Sequence, residues 1–321
     1  MNNKEFTAEQ EMRLDQFLCE KLDESRNQVD HLIKKGFVKV QNKQKAKSGL
    51  KLQVGQKVFV EFPEVVKEEP LEVDFDVEIV FEDEYFMVIN KPSGVIVHGA
   101  PSVKEATLVD WLKKKGISLS TISGEERHGI VHRIDKGTSG LLVIAKTNEA
   151  HVALSSQLED KTMGRYYLAL IDIPLKDDVM INEPIARNPH NRLKMGVVPH
   201  GKSAKTFFAK IALSKNEQYE LIAAKLFTGR THQIRVHLES LQRHILGDEL
   251  YGFKGNLDKL KRVYLHAYSL YLKHPITGED MEFNIGLPDD MKNFYKDNFD
   301  EEEYNDKINK EYISSRFTNN N

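Results

Sequence analysis

The charge along this chain reverses sharply between two neighbouring stretches near its beginning. From Ser25 to Lys57 there are nine bases (Arg26, Lys34, Lys35, Lys39, Lys43, Lys45, Lys47, Lys51, Lys57) and one acid, Asp30. From Glu61 to Glu84 there are eleven acids and one base, Lys67. Pro63 and Pro70 punctuate the acidic stretch, which reads as a linker running into the first strand of another domain. A length of 321 residues suits about two domains. The boundaries drawn are 12–62 for a basic module, 63–84 for linker and first strand, 85–290 for a larger domain and 291–321 for a polar tail. The tail reads as a surface helix followed by disorder, ending in Thr318 and three asparagines.

The average hides this zoning. Lys+Arg is 46 and Asp+Glu is 49, a formal net charge of -3, which taken alone argues against a nucleic-acid binder. The zonal count argues the other way, because a polyanion feels the local field and not the sum. At 40% hydrophobic and 30% charged residues, the chain can bury a core and stay in solution. One cysteine, Cys19, makes neither an intramolecular disulfide nor a Cys-based zinc site, and reads as inert. No run of about 18 apolar residues is present. Met1 to Gln10 is polar, without a signal-peptide apolar core. These features point to the cytoplasm.

The basic module has a fold logic of its own. Met12, Leu14, Phe17, Leu18 and Leu22 recur at helical spacing. Ser25 and Gln28 form a capping-box pattern for a second helix with Val29, Leu32 and Ile33 on its apolar face, and Gly36 is placed to end it. Phe37 to Val40 and Val54 to Phe62 read as strands. A solvated lysine-rich surface would look similar, but nine bases against one acid favour contact with RNA or DNA.

The larger domain is expected to be α+β with a central mixed or antiparallel sheet flanked by helices. Its strands are Phe86–Asn90, Leu141–Ala145, Tyr166–Ile173, Thr206–Leu213, Tyr219–Lys225 and Thr231–Leu238. Its helices are Ala106–Lys115, and Glu149–Leu158 capped by Asn148.

Three clusters carry chemistry. In Gly129–Leu142, the ionisable group His132-Arg133-Asp135 ends an apolar run and precedes a tight loop bracketed by Gly137 and Gly140. A carboxylate beside arginine stays ionised, so Asp135 is a candidate nucleophile or base, or else half of a structural pair that closes the loop. Ser139 lacks the G-x-S-x-G elbow, a glycosidase would need a second carboxylate, and the glycines are too few for a phosphate-binding loop. In Thr228–His237, a strand would put Arg235 and His237 on one face and His232, Ile234 and Val236 on the other. That geometry is poor for a metal and good for an anion. Between Arg187 and Lys210 lie Arg187, Arg192, Lys194, Lys202, Lys205 and Lys210, with no acid. Two separated basic surfaces suit a long polyanion.

Read in order, these motifs resemble known families. Arg13-Leu14-Asp15, Ser25-Arg26, Ile33-Lys34-Lys35-Gly36 and Val38-Lys39-Val40 resemble the αL RNA-binding module first seen in a small-subunit ribosomal protein. His132-Arg133-Ile134-Asp135 with Thr138-Ser139-Gly140 matches the central motif of the RluA-family pseudouridine synthases. Asn90-Lys91-Pro92-Ser93-Gly94, Tyr167-Leu168-Ala169-Leu170, Pro184-Ile185-Ala186-Arg187, Gly201-Lys202-Ser203-Ala204, Thr228 to Arg235, Leu246-Gly247-Asp248 and Leu265-His266-Ala267 follow in the family's order. The likeness runs from Arg13 to Pro288 and is closest to the branch acting on large-subunit rRNA. Departures are His98-Gly99 for the usual His-Pro, Arg165 for the commoner Lys and Ile134 for the commoner Leu.

The resemblance implies the pseudouridine synthase fold and isomerisation of uridine to pseudouridine in RNA, with base flipping and no cofactor or metal. It assigns catalysis to Asp135, Tyr167 and Arg235, the last pairing with Asp135. It places His132, Thr138 and Ile234 at the substrate pocket. RNA contact falls to Arg133, Arg26, Lys34, Lys35, Lys39, Arg187, Lys202 and Arg230. The partner is rRNA or a ribosomal precursor, no membrane is involved, and a monomer is the default. The alternatives are a non-catalytic RNA-binding factor on the same scaffold, a tRNA-directed enzyme, and an unrelated hydrolase using Asp135.

Overall fold

The computed structural model describes residues 3–22, 26–43, 45–61, 71–99, 103–122, 128–255, 260 and 262–317. The chain divides between residues 69 and 70 into two units. Residues 62–70, which include the beginning of the expected linker, and the last four residues lie outside the described residues, as does Ser25 with its expected cap.

The first unit is built from β1 (Asn3–Thr7), β2 (Met12–Arg13), α1 (Leu14–Leu22), α2 (Arg26–Lys34), β3 (Val38–Val40), β4 (Lys51–Leu52) and β5 (Lys57–Glu61). Strands β1, β5 and β3 form an antiparallel sheet in that order, and β2 pairs with β4. Leu14, Phe17 and Leu18 of α1 meet Val29 and Ile33 of α2 over Val38, Val40, Val58 and Val60, all buried. Gly36 takes φ 84°, where its amide reaches the Ile33 carbonyl and ends α2 as expected. Helix α1 starts two residues later than the periodicity suggests, because Met12 and Arg13 are drawn into pairing with β4. Val54 and Gly55 form a turn before β5 and not its beginning.

The second unit contains β6 (Glu78–Glu82), β7 (Phe86–Lys91), α3 (Leu108–Lys114), β8 (Ser139–Ala145), α4 (Asn148–Asp160), β9 (Gly164–Ile171), β10 (Val179–Asn182), β11 (Ile185–Arg187) and β12 (Met195–Val197). It continues with β13 (Lys205–Leu213), β14 (Glu220–Leu226), α5 (Gln233–Ser240), β15 (Leu265–Lys273), β16 (Asp280–Asn284), α6 (Asp289–Asn298), α7 (Tyr304–Lys307) and α8 (Lys310–Ser315). Nine strands form one mixed sheet in the order β10-β13-β14-β9-β15-β8-β7-β6, with β16 also on β15. This is the α+β architecture expected. Within this sheet β15 and β8 run parallel and the other pairs antiparallel. At the parallel crossing Gly140 has φ 114°, and a Cβ there would strike the Ala267 backbone, so no other residue fits. Strand β8 is buried along its whole length, in keeping with its apolar run.

Three expectations fail for physical reasons. Thr231–Leu238 is not a strand: Gln233–Ser240 is helix α5. Residues 233–238 are all buried, Ile234 and Leu238 in the main core and Val236 in a second cluster under β11 and β12. A helix buried all round shows no one-sided stripe, so its alternation imitates a strand. Arg235 and His237, two apart, therefore do not share a face. Thr147, not Asn148, caps α4, its Oγ1 accepting from the Ala150 amide, while Asn148 accepts from Ser120 and Thr121. The segment after 290 is folded through Phe317: Met291, Tyr295, Phe299, Ile313 and Phe317 are buried in the main core. Its polar average conceals an i, i+4 apolar spacing at 291, 295 and 299.

Candidate active site

Asp135 lies in the loop that enters β8, where the Thr138 amide donates to its carbonyl and closes the turn. The loop is held from behind by Lys91, which is fully buried at the end of β7. Its ammonium donates to the carbonyls of Pro92 at 2.7 Å, Val95 at 2.8 Å and Lys136 at 3.4 Å. The Ser93 hydroxyl and Gly94 amide add bonds to the carbonyls of Gly137 and Lys136, each 2.8 Å. The Asn90-Lys91-Pro92-Ser93-Gly94 turn is thus fastened to the residues that follow Asp135. Burial pulls the Lys91 pKa down to about 7, against the opposing charge of Asp135.

Arg235 reaches Asp135 from the buried helix α5. Its Nη1 stands 3.3 Å from Asp135 Oδ2. Its Nε and Nη2 fork onto the carboxylate of Asp248 at 2.7 and 2.8 Å, and its guanidinium lies over the Tyr251 ring at 4.6 Å. Burial works against the charge, but hydrogen bonds and charge from Asp248, then Asp135, outweigh it and raise the Arg235 pKa. The fork fixes the plane of the guanidinium and leaves one nitrogen for Asp135. Asp248 is itself placed by Gly247, at φ 78°, where a Cβ would meet the Arg262 carbonyl.

Two further groups face the carboxylate. His232, in left-handed conformation at φ 57° before α5, puts Nε2 3.8 Å from Asp135 Oδ1 and Nδ1 2.8 Å from the Tyr251 hydroxyl. Burial lowers its pKa, with Asp135 opposing. Tyr167, on the buried strand β9, is 4% exposed. Burial raises its pKa, so the phenol is neutral at pH 7.

Asp135, Tyr167, Arg235, His132, Thr138, Ile234, Arg133 and Arg230 all line one cleft of about 640 Å³. His132 is pushed well below its ordinary pKa by burial and by Arg165, whose Nη1 lies 2.9 Å from its Nδ1. Arg133 has its Nη1 3.4 Å from His98 Nε2 at the exposed edge. The cleft can hold a planar ring near a fixed carboxylate, and it has cations at its mouth in Lys161, Lys225 and Arg230.

Other expected residues do not line this cleft. Arg187 is exposed on β11, its Nη1 donating to the Arg192 carbonyl, and Lys202 is exposed where residue 185 bridges to it. Lys34, Lys35 and Lys39 are exposed in the first unit, Lys34 beside Asp30 and Lys39 beside Glu61. The Arg26 side chain lies outside the described residues. Lys194 and Lys210 of the basic loop pair with Glu239 and Glu220.

Sequence reasoning gives no role to Asp248, Tyr251, Lys91 or Phe227, and weighs His232 only as a metal ligand. Phe227 also lines the cleft, with Lys205 and Lys225 over its ring at 4.7 and 5.3 Å. The signal for Asp248 is the Gly before it in Leu246-Gly247-Asp248. Among the described residues, no three His, Cys, Asp or Glu side chains are arranged to hold a metal ion, and no helix is long and apolar enough to cross a membrane.

Comparison with known proteins gives the family. Residues 85–240 match the model for RNA pseudouridylate synthase, and residues 12–58 match the S4 domain. An uncharacterized RNA pseudouridine synthase of Helicobacter pylori strain J99 is 48% identical over 313 residues, covering 95% of each chain. The ribosomal large subunit pseudouridine synthase D of Zymomonas mobilis is 43% identical over 233 residues, 70% of this chain and 73% of that one. The solved structure of human RNA pseudouridylate synthase domain containing 1 superposes with a TM-score of 0.55 at 25% identity, covering 68% of this chain and 86% of that one.

Proposed function

Because this chain belongs to the RluA family of RNA pseudouridine synthases, we propose that it isomerises uridines of large-subunit rRNA in the Asp135 cleft. Relatives named ribosomal large subunit pseudouridine synthase D support the choice of RNA. In the reaction the bond from ribose C1′ to uracil N1 breaks, the base turns, and a bond from C1′ to C5 forms. The proton lost at C5 is matched by one gained at N1, so nothing is oxidised or hydrolysed.

The observation that carries the reading is the Asp135–Arg235–Asp248 chain at the cleft wall. Arg235 orients Asp135 through Oδ2, which leaves Oδ1 to act on the nucleotide. Tyr167 lies against the base. Its raised pKa favours ring contact over removal of the C5 proton, since a buried neutral phenol is a poor base. Ile234 and Thr138 complete the pocket. Arg133, at the exposed edge, contacts the RNA around the extruded nucleotide. Flipping costs a few kcal/mol, offset by stacking and phosphate contacts. The S4 unit adds affinity through Lys35, Lys43, Lys45 and Lys47, which enter no ion pair among the described residues. The protein acts in the cytoplasm as a monomer, which light scattering on the purified chain checks.

The test is release of label from uridine C5. We expect release from 23S rRNA by the native protein and none by Asp135→Asn. Release from tRNA alone would move the substrate, and no release from any RNA while binding persists would overturn the enzymatic role of this cleft.

A further inference from the structure

Among the described residues, Arg165 is a buried cation with no anion. It stands two residues before Tyr167 on β9, so both side chains share a face, and both line the cleft. Arg165 is 8% exposed. No carboxylate of the described residues lies within ion-pair distance of it, its Nε is buried with no hydrogen-bond partner, and its Nη1 meets the neutral ring of His132 at 2.9 Å. Arg235, as buried, has two carboxylates. A buried charge without a counter-charge is unfavourable, and this one adjoins open space. A Cβ placed on Gly229 would lie 3.6 Å from its Nη2, and that glycine leaves the volume empty.

We propose that Arg165 binds the phosphodiester adjoining the target uridine, an inference that rests on the reading of this cleft as the uridine site. Strand β9 begins at Gly164, with exposed Lys161 just before it, so Arg165 sits nearer the mouth than Tyr167. The offset of two strand residues is about 7 Å, which suits a base at Tyr167 and its backbone at Arg165. Lys161, Lys225 and Arg230 line the same cleft and continue the positive path for the strand beyond. The target base is neutral and has Asp135 and Tyr167 for partners, whereas the phosphodiester is the one group of the nucleotide that carries the missing negative charge. A planar fork also suits phosphate oxygens better than a point charge does, in keeping with arginine at this position.

The test uses short RNA substrates in which the linkage 5′ or 3′ of the target uridine is a methylphosphonate, of nearly the same shape but uncharged. With the native protein, one of the two replacements should raise KM roughly tenfold to a hundredfold, with little change in kcat. Arg165→Gln should show the same loss on ordinary RNA and no further loss on the neutral linkage, and Arg165→Lys should recover part of it. Indifference of the native protein to both linkages overturns the proposal, and this arm does not depend on any variant folding. It is equally overturned if Arg165→Gln lowers kcat alone, or if the variant and the neutral linkage weaken binding independently. Absence of label release from every substrate would instead defeat the reading of the cleft itself.

Discussion

The two units hold positive charge in opposite ways. In the first, lysines stand in water: Lys34, Lys39, Lys51 and Lys57 each pair with a carboxylate at the surface, and Lys35, Lys43, Lys45 and Lys47 are exposed. In the second, Arg165 and Arg235 are 8% exposed and fixed by named contacts. Exposed charges are screened within about 10 Å at moderate salt and are worth little individually. Desolvated charges act strongly at one distance and in one direction. The first arrangement suits holding any RNA strand, and the second suits orienting one nucleotide.

The largest break in this contrast is expected at the carboxylate. Asp135→Asn should reduce label release by about a thousandfold or more while leaving RNA affinity within a few-fold of native, since one group acts on bonds and the lysines act on the backbone. Single-turnover rates beside filter binding check it. Next is Asp248→Asn. It strips the fork from a buried arginine and should cost about 3 kcal/mol in urea unfolding, with a fall in kcat from a misoriented Asp135. A drop in kcat with unchanged stability would mean that Asp248 does not support the fold.

Acid should divide the units more gently. His132, His151, His232, His237 and His266, all in the second unit, have pKa values lowered by burial, His266 to about 3. The unfolded chain binds their protons near the ordinary 6.5, while the folded chain refuses them. Stability is therefore full above 6.5 and is lost as pH falls toward 3, by up to about 1.4 kcal/mol per pH unit for His266. The first unit has one histidine, His31. The single tryptophan, Trp111, reports the second unit alone, so urea melts by its fluorescence should weaken from pH 7 to pH 5. Amide exchange at Val58 and Val60 should change much less. The smallest effect is expected from replacing Lys35, Lys43, Lys45 and Lys47 together by Gln. Melting should not move, and the salt slope of RNA binding should fall by roughly 0.7 for each phosphate that is no longer neutralised.

Local pattern carries much of the fold. Leu141–Ala145 announces β8, and the Val29, Leu32, Ile33 spacing with Gly36 announces α2, because those elements follow from neighbours in sequence. Helix α5 passes for a strand because it is enclosed on every side, which removes the stripe that distinguishes a helix. The meeting of Asp135 and Arg235, a hundred residues apart, leaves no periodic trace. Family likeness alone foretells it. Asp248 stands in a family motif, but its role depends on the Gly247 turn at a place only the folded chain defines. Arg165 is visible in sequence as an exchange for lysine, but its want of a counter-charge is a property of burial.

Strand β15 lies between β8 and β9, and it joins β6, β7 and β8 to β9, β14, β13 and β10. It is also made after both of the halves it joins, at residues 265–273. A nascent chain that has not yet released Lys273 from the ribosome holds two half-sheets with an open edge each, Asp135 on one and Tyr167 on the other. Synthesis thus sets an order on assembly: the cleft closes only after residue 273 has emerged, and until then a chaperone that shields unpaired strands would find its best footing on those two edges.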